Sequence, residues 1–271
     1  MVMRKFAPVA PIQVLRGMLS HGVTTFGNYH LLLAHHTVEK AEEFADLFRD
    51  VHANGNAHET TIIMDNSIVE LGESQCFDMM KQACAIVKDN APSINLIAVL
   101  PDVMGSGGPT QAAVSMAIEE WSELLESGIE LMMVIQGNSI GDFLETADFA
   151  LEYPQIRFWG IPRILYKTVG SRADALQRLA DHLAPKGLDF YPGMHLLGFC
   201  DNMEDDYLSA HFVGLPIMGI DSAVPLRVED DFNIGMIPES RPPNWFEDAV
   251  FDHQMVRNLQ LARAAFETKE A

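Results

Sequence analysis

The sequence predicts one α/β domain folded as a (β/α)8 TIM-like barrel, and three observations point there. Short apolar runs alternate with amphipathic stretches along the chain. The apolar runs are hydrophobic at nearly every position, as strands are when both sheet faces are covered. At 271 residues and 48% hydrophobic content, the chain can bury one full core of that size. An open doubly wound sheet is the second architecture that fits the same alternation.

The expected strands are YHLLLA (29–34), TIIMD (61–65), NLIAVL (95–100), LMMVIQ (131–136), RFWGI (157–161), HLLGF (195–199) and PIMGI (216–220), each short and bounded by turn residues. Helical spacing covers 37–51, 76–90, 110–127, 141–153 and 172–184, with a last helix around Trp245–Phe266. Seven strands leave the barrel one short, and no segment announces the eighth. The polar, proline-bearing stretch 228–244 reads as a loop rather than a linker, so one domain over 1–271 is expected. Its chemistry-bearing segments lie within 29–227, and a C-terminal loop and helix occupy 228–271.

Composition narrows the function classes. No window approaches the roughly 18 apolar residues of a membrane span, and MVMRKFAPVAPIQ lacks the basic-then-apolar layout of a secretory leader, so a cytoplasmic protein with no membrane partner is expected. The three cysteines, Cys76, Cys84 and Cys200, form no CxxC pair and are read as buried free thiols. A net charge of −20 argues against indiscriminate polyanion binding. Even so, Arg157, Arg163, Lys167, Arg172, Arg178 and Lys186 put six of the 18 basic residues into one short stretch, either a solvated helix face or a local nucleic-acid patch.

In a barrel, the loops leaving the C-terminal ends of the strands surround the active site. Those ends carry Asp65-Asn66-Ser67, then Asp102, then Gln136-Gly137, then Gly160, and finally Asp221 in GIDSAVPLR. Each Asp alone reads as a cap or turn residue. Their recurrence on successive strands favours a functional rim. His30, His35 and His36 read as structural, the fifteen methionines as core filler, and GSGG (105–108) as a flexible turn before Pro109.

These strand-end motifs, in this order, resemble the tRNA-guanine transglycosylase family of queuine and preQ0 base-exchange enzymes. The family's Asp-Ser-Gly-Gly-Phe-Gln segment corresponds to Asp65-Asn66-Ser67-Ile68-Val69-Glu70, and its next strand-end Asp to Asp102. Its Gln-Gly-Gly corresponds to Gln136-Gly137-Asn138, its following strand-end glycine to Gly160, and its His-Leu-Met-Gly to His195-Leu196-Leu197-Gly198. Its nucleophile segment, Asp-Cys-Val-Met-Pro-Thr-Arg, matches Asp221 to Arg227 with the same Asp, Pro and Arg spacing. The chain departs from the family at Asn66-Ser67-Ile68, where a glycine pair is expected, and lacks the zinc-binding cysteine cluster after Arg227. No metal and no cofactor are therefore expected.

The resemblance implies a (β/α)8 barrel that exchanges guanine for a 7-deazaguanine in a polynucleotide through a covalent glycosyl intermediate. Asp221 would be the nucleophile and Asp65 the general acid and base. Asp102 would accept the guanine N1 and N2 protons, while the Gln136 amide and the Gly160 N–H would donate to O6. Gly137, Asn66 and Ser67 would complete the base pocket, and Arg163, Lys167 and Arg227 would face phosphates. The shortened, zinc-free chain looks more like the phage and bacterial DNA-modifying members, which favours DNA over tRNA and, for a phage protein, the host cytoplasm. A presenting protein or a second copy of the chain is the further partner this family context brings. The alternative class is a barrel that binds a free base without catalysis.

Overall fold

In the computed structural model, the described residues are 5–22, 29–55, 57–188, 191–211, 214–237 and 239–267. Eight strands form one parallel sheet: β1 (Lys5–Pro8), β2 (Tyr29–Leu33), β3 (Thr61–Asp65), β4 (Asn95–Val99), β5 (Ile129–Val134), β6 (Ile156–Pro162), β7 (Gly193–Leu197) and β8 (Ile217–Ser222). Each pairs with its sequence neighbour from β2 to β8, and β8 pairs with β1. The ring closes between β1 and β2 through a single parallel bridge, Val9 to Leu31. This is a (β/α)8 barrel.

The strand missing from the sequence reading is thus the first one. KFAP is only four residues long and carries a lysine and a proline, so it has neither the length nor the composition that marks a strand. Its register against Gly219–Ser222 is what makes it one. The seven other strands lie within two residues of their expected bounds, and all five residues of β2 are buried, as a sheet covered on both faces requires.

Three expected helices are broken; one of them, the stretch at 110–127, divides into Gly107–Trp121 and Glu123–Glu126. The stretch at 37–51 divides into Ala34–Glu39 and Ala41–Ala53, with Lys40 non-helical between them. The stretch from Trp245 divides into Trp245–Asp248 and His253–Phe266, the second started by Asp252, whose carboxylate accepts the Met255 N–H at 2.9 Å. GSGG is also not a plain turn: Gly107 opens the helix Gly107–Trp121, and only Gly105 takes the left-handed conformation, at φ +68°. Among the described residues no helix is long and apolar enough to cross a membrane.

One polar element sits inside the core and locks two loops at the C-terminal end. Arg172, fully buried, pairs with Asp206 and donates to the carbonyls of Ile161 and Leu197, while Asp206 accepts the Cys200 N–H at 2.8 Å. This fixes the chain leaving β7, whose Gly198 reaches the site described next. The buried Cys200 thiol is pushed up by burial and stays protonated.

Candidate active site at the barrel mouth

Asp221 lies within β8, level with Ala7 of β1, and is 6% exposed. Its Oδ1 accepts two bonds, from His195 Nε2 at 2.9 Å and from the Gly198 N–H at 3.0 Å. Its Oδ2 has no hydrogen bond to a described residue. The far nitrogen of His195, Nδ1, meets the Tyr29 hydroxyl at 2.9 Å. The phenol pKa is raised well above 10.0, first by burial and then by the charge of Asp221, so Tyr29 keeps its proton.

Asp65 ends β3 and accepts the Ser67 N–H at 2.9 Å. Although only half-buried by surface, it is packed closely enough by protein that burial raises its pKa well above 3.8. Repulsion from Glu70 raises it further, the Ser67 bond opposes, and Asp102 and Asp221 add smaller repulsions. Burial and the neighbouring carboxylates thus shift Asp65 towards its protonated, acidic form.

Ser67 and its surroundings are built unlike a simple turn. Ser67 sits at φ +63°, a left-handed conformation that costs a non-glycine residue about 1–3 kcal/mol. It is fully buried, and its Oγ has no partner among the described residues. Glu70 pairs through Oε1 with Arg241 at 2.7 Å and Arg227 donates from Nη2 to the Glu239 carbonyl at 3.0 Å, while Glu70 Oε2 and Arg227 Nε have no partner among the described residues. Burial, then the charges of Arg241 and Arg163, lower the pKa of Arg227, so three arginines gather at this side. Orphaned buried polar atoms normally mark either strain or a missing ligand.

Asp102 differs from its expected role. Its Oδ1 accepts Asn66 Nδ2 at 2.6 Å and its Oδ2 accepts Gln136 Nε2 at 2.6 Å, while Ser74 bridges its backbone with bonds of 2.9 and 3.0 Å. Burial raises its pKa, and the Gln136, Asn66 and Ser74 bonds oppose the rise. Gln136 turns its oxygen to the Gly105 N–H at 2.9 Å, and Asn66 also donates to the Leu100 carbonyl at 2.8 Å. Asp102, Asn66 and Gln136 thus tie three strand ends together rather than pointing free groups at a base. The reason is that two buried amides need an acceptor, and the ionised carboxylate is the strongest one nearby.

The glycines are corrected too. Gly160 lies inside β6, not at its end, and its register opposite Val134, with its carbonyl accepting the Ile135 N–H at 2.9 Å, commits its own N–H to the β5–β6 ladder. It is not a free donor. A Cβ there would meet Leu197 Cδ1 at 2.6 Å, so the residue makes room inside the barrel. Gly137 is required by the following helix, Ile140–Leu151, since a Cβ would meet the Phe143 nitrogen at 2.6 Å.

The expected basic face does not exist as one surface. Arg172 is in the core; Arg157, at the opening of β6, faces Glu130 at 3.6 Å; Lys186 faces Asp148 at 3.0 Å. Lys167, named as a phosphate contact, lies 3.5 Å from Asp201. Arg163 is exposed, packs its side chain over Gly198 and lies near enough to Arg227 for its charge to act there, while Arg178 is exposed on the helix Arg172–Leu183. Cys200, Asp205 and Asp206 bring three ligand-type atoms within 4.8 Å, but Arg172 already supplies the cation they face.

Sequence reasoning missed His195 as a partner of Asp221 and gave no role to Tyr29, Glu70, Ser74 or Arg241. His195 and Glu70 stood only inside motif matches, and the other three carry no signal without the fold.

No protein-family model matches the chain, and no curated protein does. Among solved structures, a protein described as a fructose-1,6-biphosphate aldolase from Coccidioides immitis aligns with a TM-score of 0.52 at 11% identity, over 97% of this chain and 87% of that one. The carboxyl transferase domain of Rhizobium etli pyruvate carboxylase aligns at 0.49 and 9% identity, over 98% of this chain and 49% of that one. Methylaspartate ammonia lyase from Clostridium tetanomorphum aligns at 0.48 and 11%, over 80% and 52%. What the chain shares with the aldolase is the barrel.

Proposed function

We propose that the protein is a transglycosylase that replaces guanine by a 7-deazaguanine base in a polynucleotide, with DNA the favoured substrate. The single observation carrying this reading is the asymmetry of Asp221: one oxygen is held by His195 and Gly198, and the other has no partner among the described residues and lies near Asp65, whose pKa is raised well above 3.8. That is the pair a double displacement needs. Asp221 Oδ2 attacks the anomeric carbon, the glycosidic bond breaks, and the electron pair leaves with guanine, which takes the Asp65 proton. The incoming base then gives its glycosidic N–H proton to Asp65 and attacks the same carbon, expelling Asp221. Configuration is retained. The target nucleotide would be flipped out to reach this depth.

The test is incorporation of radiolabelled guanine or preQ0 into duplex DNA, single-stranded DNA and unmodified tRNA by wild type and Asp221→Asn. Label entering DNA with wild type alone supports the reading, and label entering only tRNA moves the substrate to tRNA. A second reading, a barrel that binds a free base, is favoured by one observation: Arg157, Lys167, Arg172 and Lys186 each face a carboxylate already. Tight binding of free base that is insensitive to salt, with no label in any polymer, would establish it, because phosphate contacts make affinity fall steeply with salt.

A further inference from the structure

Tyr29, His195 and Asp221 form a chain that crosses the barrel interior: hydroxyl to Nδ1 at 2.9 Å, Nε2 to carboxylate at 2.9 Å, all three residues 6% exposed or less. The neighbouring strands make room for it. The residues level with His195 on both sides are glycines, Gly160 on β6 and Gly219 on β8. At Gly219 a Cβ would meet the Tyr29 ring at 2.7 Å, so any larger residue would displace the tyrosine.

We infer that His195 is a positioning residue that holds Asp221 with one oxygen tied back and the other presented to substrate, and that Tyr29 fixes the ring form in which it does so. The logic follows from donors and acceptors. A carboxylate oxygen only accepts, so Nε2 must carry the proton that faces Asp221. The buried Tyr29 hydroxyl also needs an acceptor, and Nδ1 lies within reach. Both needs are met together only by the neutral ring protonated on Nε2. Rotation of Asp221 would break the His195 and Gly198 bonds at once, so the orientation of Oδ2 is set before substrate arrives. The kinetic half of this assignment rests on the proposed base exchange; the ring form does not.

The ring form is read by long-range 1H–15N correlation on protein carrying 15N-histidine, the His195 signals being identified by their loss in His195→Gln. Expected is a single neutral form with the proton on Nε2, replaced in Tyr29→Phe by a mixture of ring forms. A proton on Nδ1, a doubly protonated ring, or no change in Tyr29→Phe overturns the assignment. This readout needs no substrate. For the kinetic half, His195→Gln keeps an N–H where Nε2 stood and His195→Ala does not. In base exchange the Ala variant is expected to lose about 10–100-fold in kcat, the range typical of groups that orient a reacting ligand, with KM changed less than about twofold and Gln restoring most of the loss. Equal losses in folded Gln and Ala variants overturn the positioning role. Failure of wild type to exchange bases sinks the proposed reaction and the kinetic half with it, whereas a wrong ring form sinks the assignment alone.

Discussion

Asp221 and Asp102 stand on the same rim with almost the same exposure, 6% and 4%, yet their surroundings treat them in opposite ways. Asp102 is closed: each oxygen accepts a side-chain amide at 2.6 Å, and Ser74 clamps its backbone. Asp221 is half open: among the described residues both of its bonds fall on one oxygen, and the other has none. Burial is therefore a poor guide to role here; the distribution of donors over the two oxygens is a better one. A carboxylate satisfied on both sides ties strands together, while one satisfied on a single side is oriented and still reactive.

Asp221→Asn tests the open side and carries the largest expected effect. The isosteric amide can keep its oxygen toward His195 and Gly198, so the fold should survive. It cannot attack, and exchange should fall by about 10⁴-fold or more, as when other nucleophiles are removed. Label incorporation, read beside an unchanged thermal midpoint, checks both parts, and residual exchange near wild type would reverse the roles assigned to the two aspartates. Asp102→Ala tests the closed side, where the loss should be in stability. Two buried amides lose their acceptor, each at about 1–3 kcal/mol, partly offset by removal of a buried charge, for a net cost of about 2–4 kcal/mol in denaturant unfolding. A cost below that of an ordinary surface change would mean that the Asn66 and Gln136 amides do not depend on it.

The barrel itself was legible because seven of its eight strands are hydrophobic on nearly every residue, which only a doubly covered parallel sheet requires. KFAP was not, since four residues with a lysine and a proline become a strand only when β8 offers a ladder to pair with. At the site, the strand-end position of Asp65, Asp102 and Asp221 was readable from sequence. Their difference was not, because it depends on amides and a histidine brought from other strands: Asn66 across to Asp102 over 36 residues, Gln136 over 34, His195 to Asp221 over 26. Gly160 shows the converse error. A glycine near a strand end suggested a free backbone donor, but one residue of register decides whether an N–H points to the ladder or to the mouth. The basic stretch failed for a related reason: spacing along the chain says nothing of the acidic partners that meet Lys167, Arg157 and Lys186 in space.

Asp65 lies between the two extremes, with one backbone donor and several like charges around it, and it supplies the smallest and most specific prediction. Its folded-state pKa lies above the ordinary 3.8, so between those values the native protein holds a proton that the unfolded chain has lost. Stability from this group therefore falls as pH rises from 3.8 through the folded value, and above that the full cost of the buried charge is present. Asp65→Asn removes the charge and keeps the shape. It should raise the thermal midpoint at neutral pH, with the gain shrinking as the pH is lowered towards 3.8, while base exchange is lost because no proton can be delivered to the leaving guanine. Thermal melts of both proteins over that range read the sign directly. A gain that grows on acidification would mean that Asp65 is stabilised as an anion, and the acid of the proposed reaction would then have to be sought elsewhere on the rim.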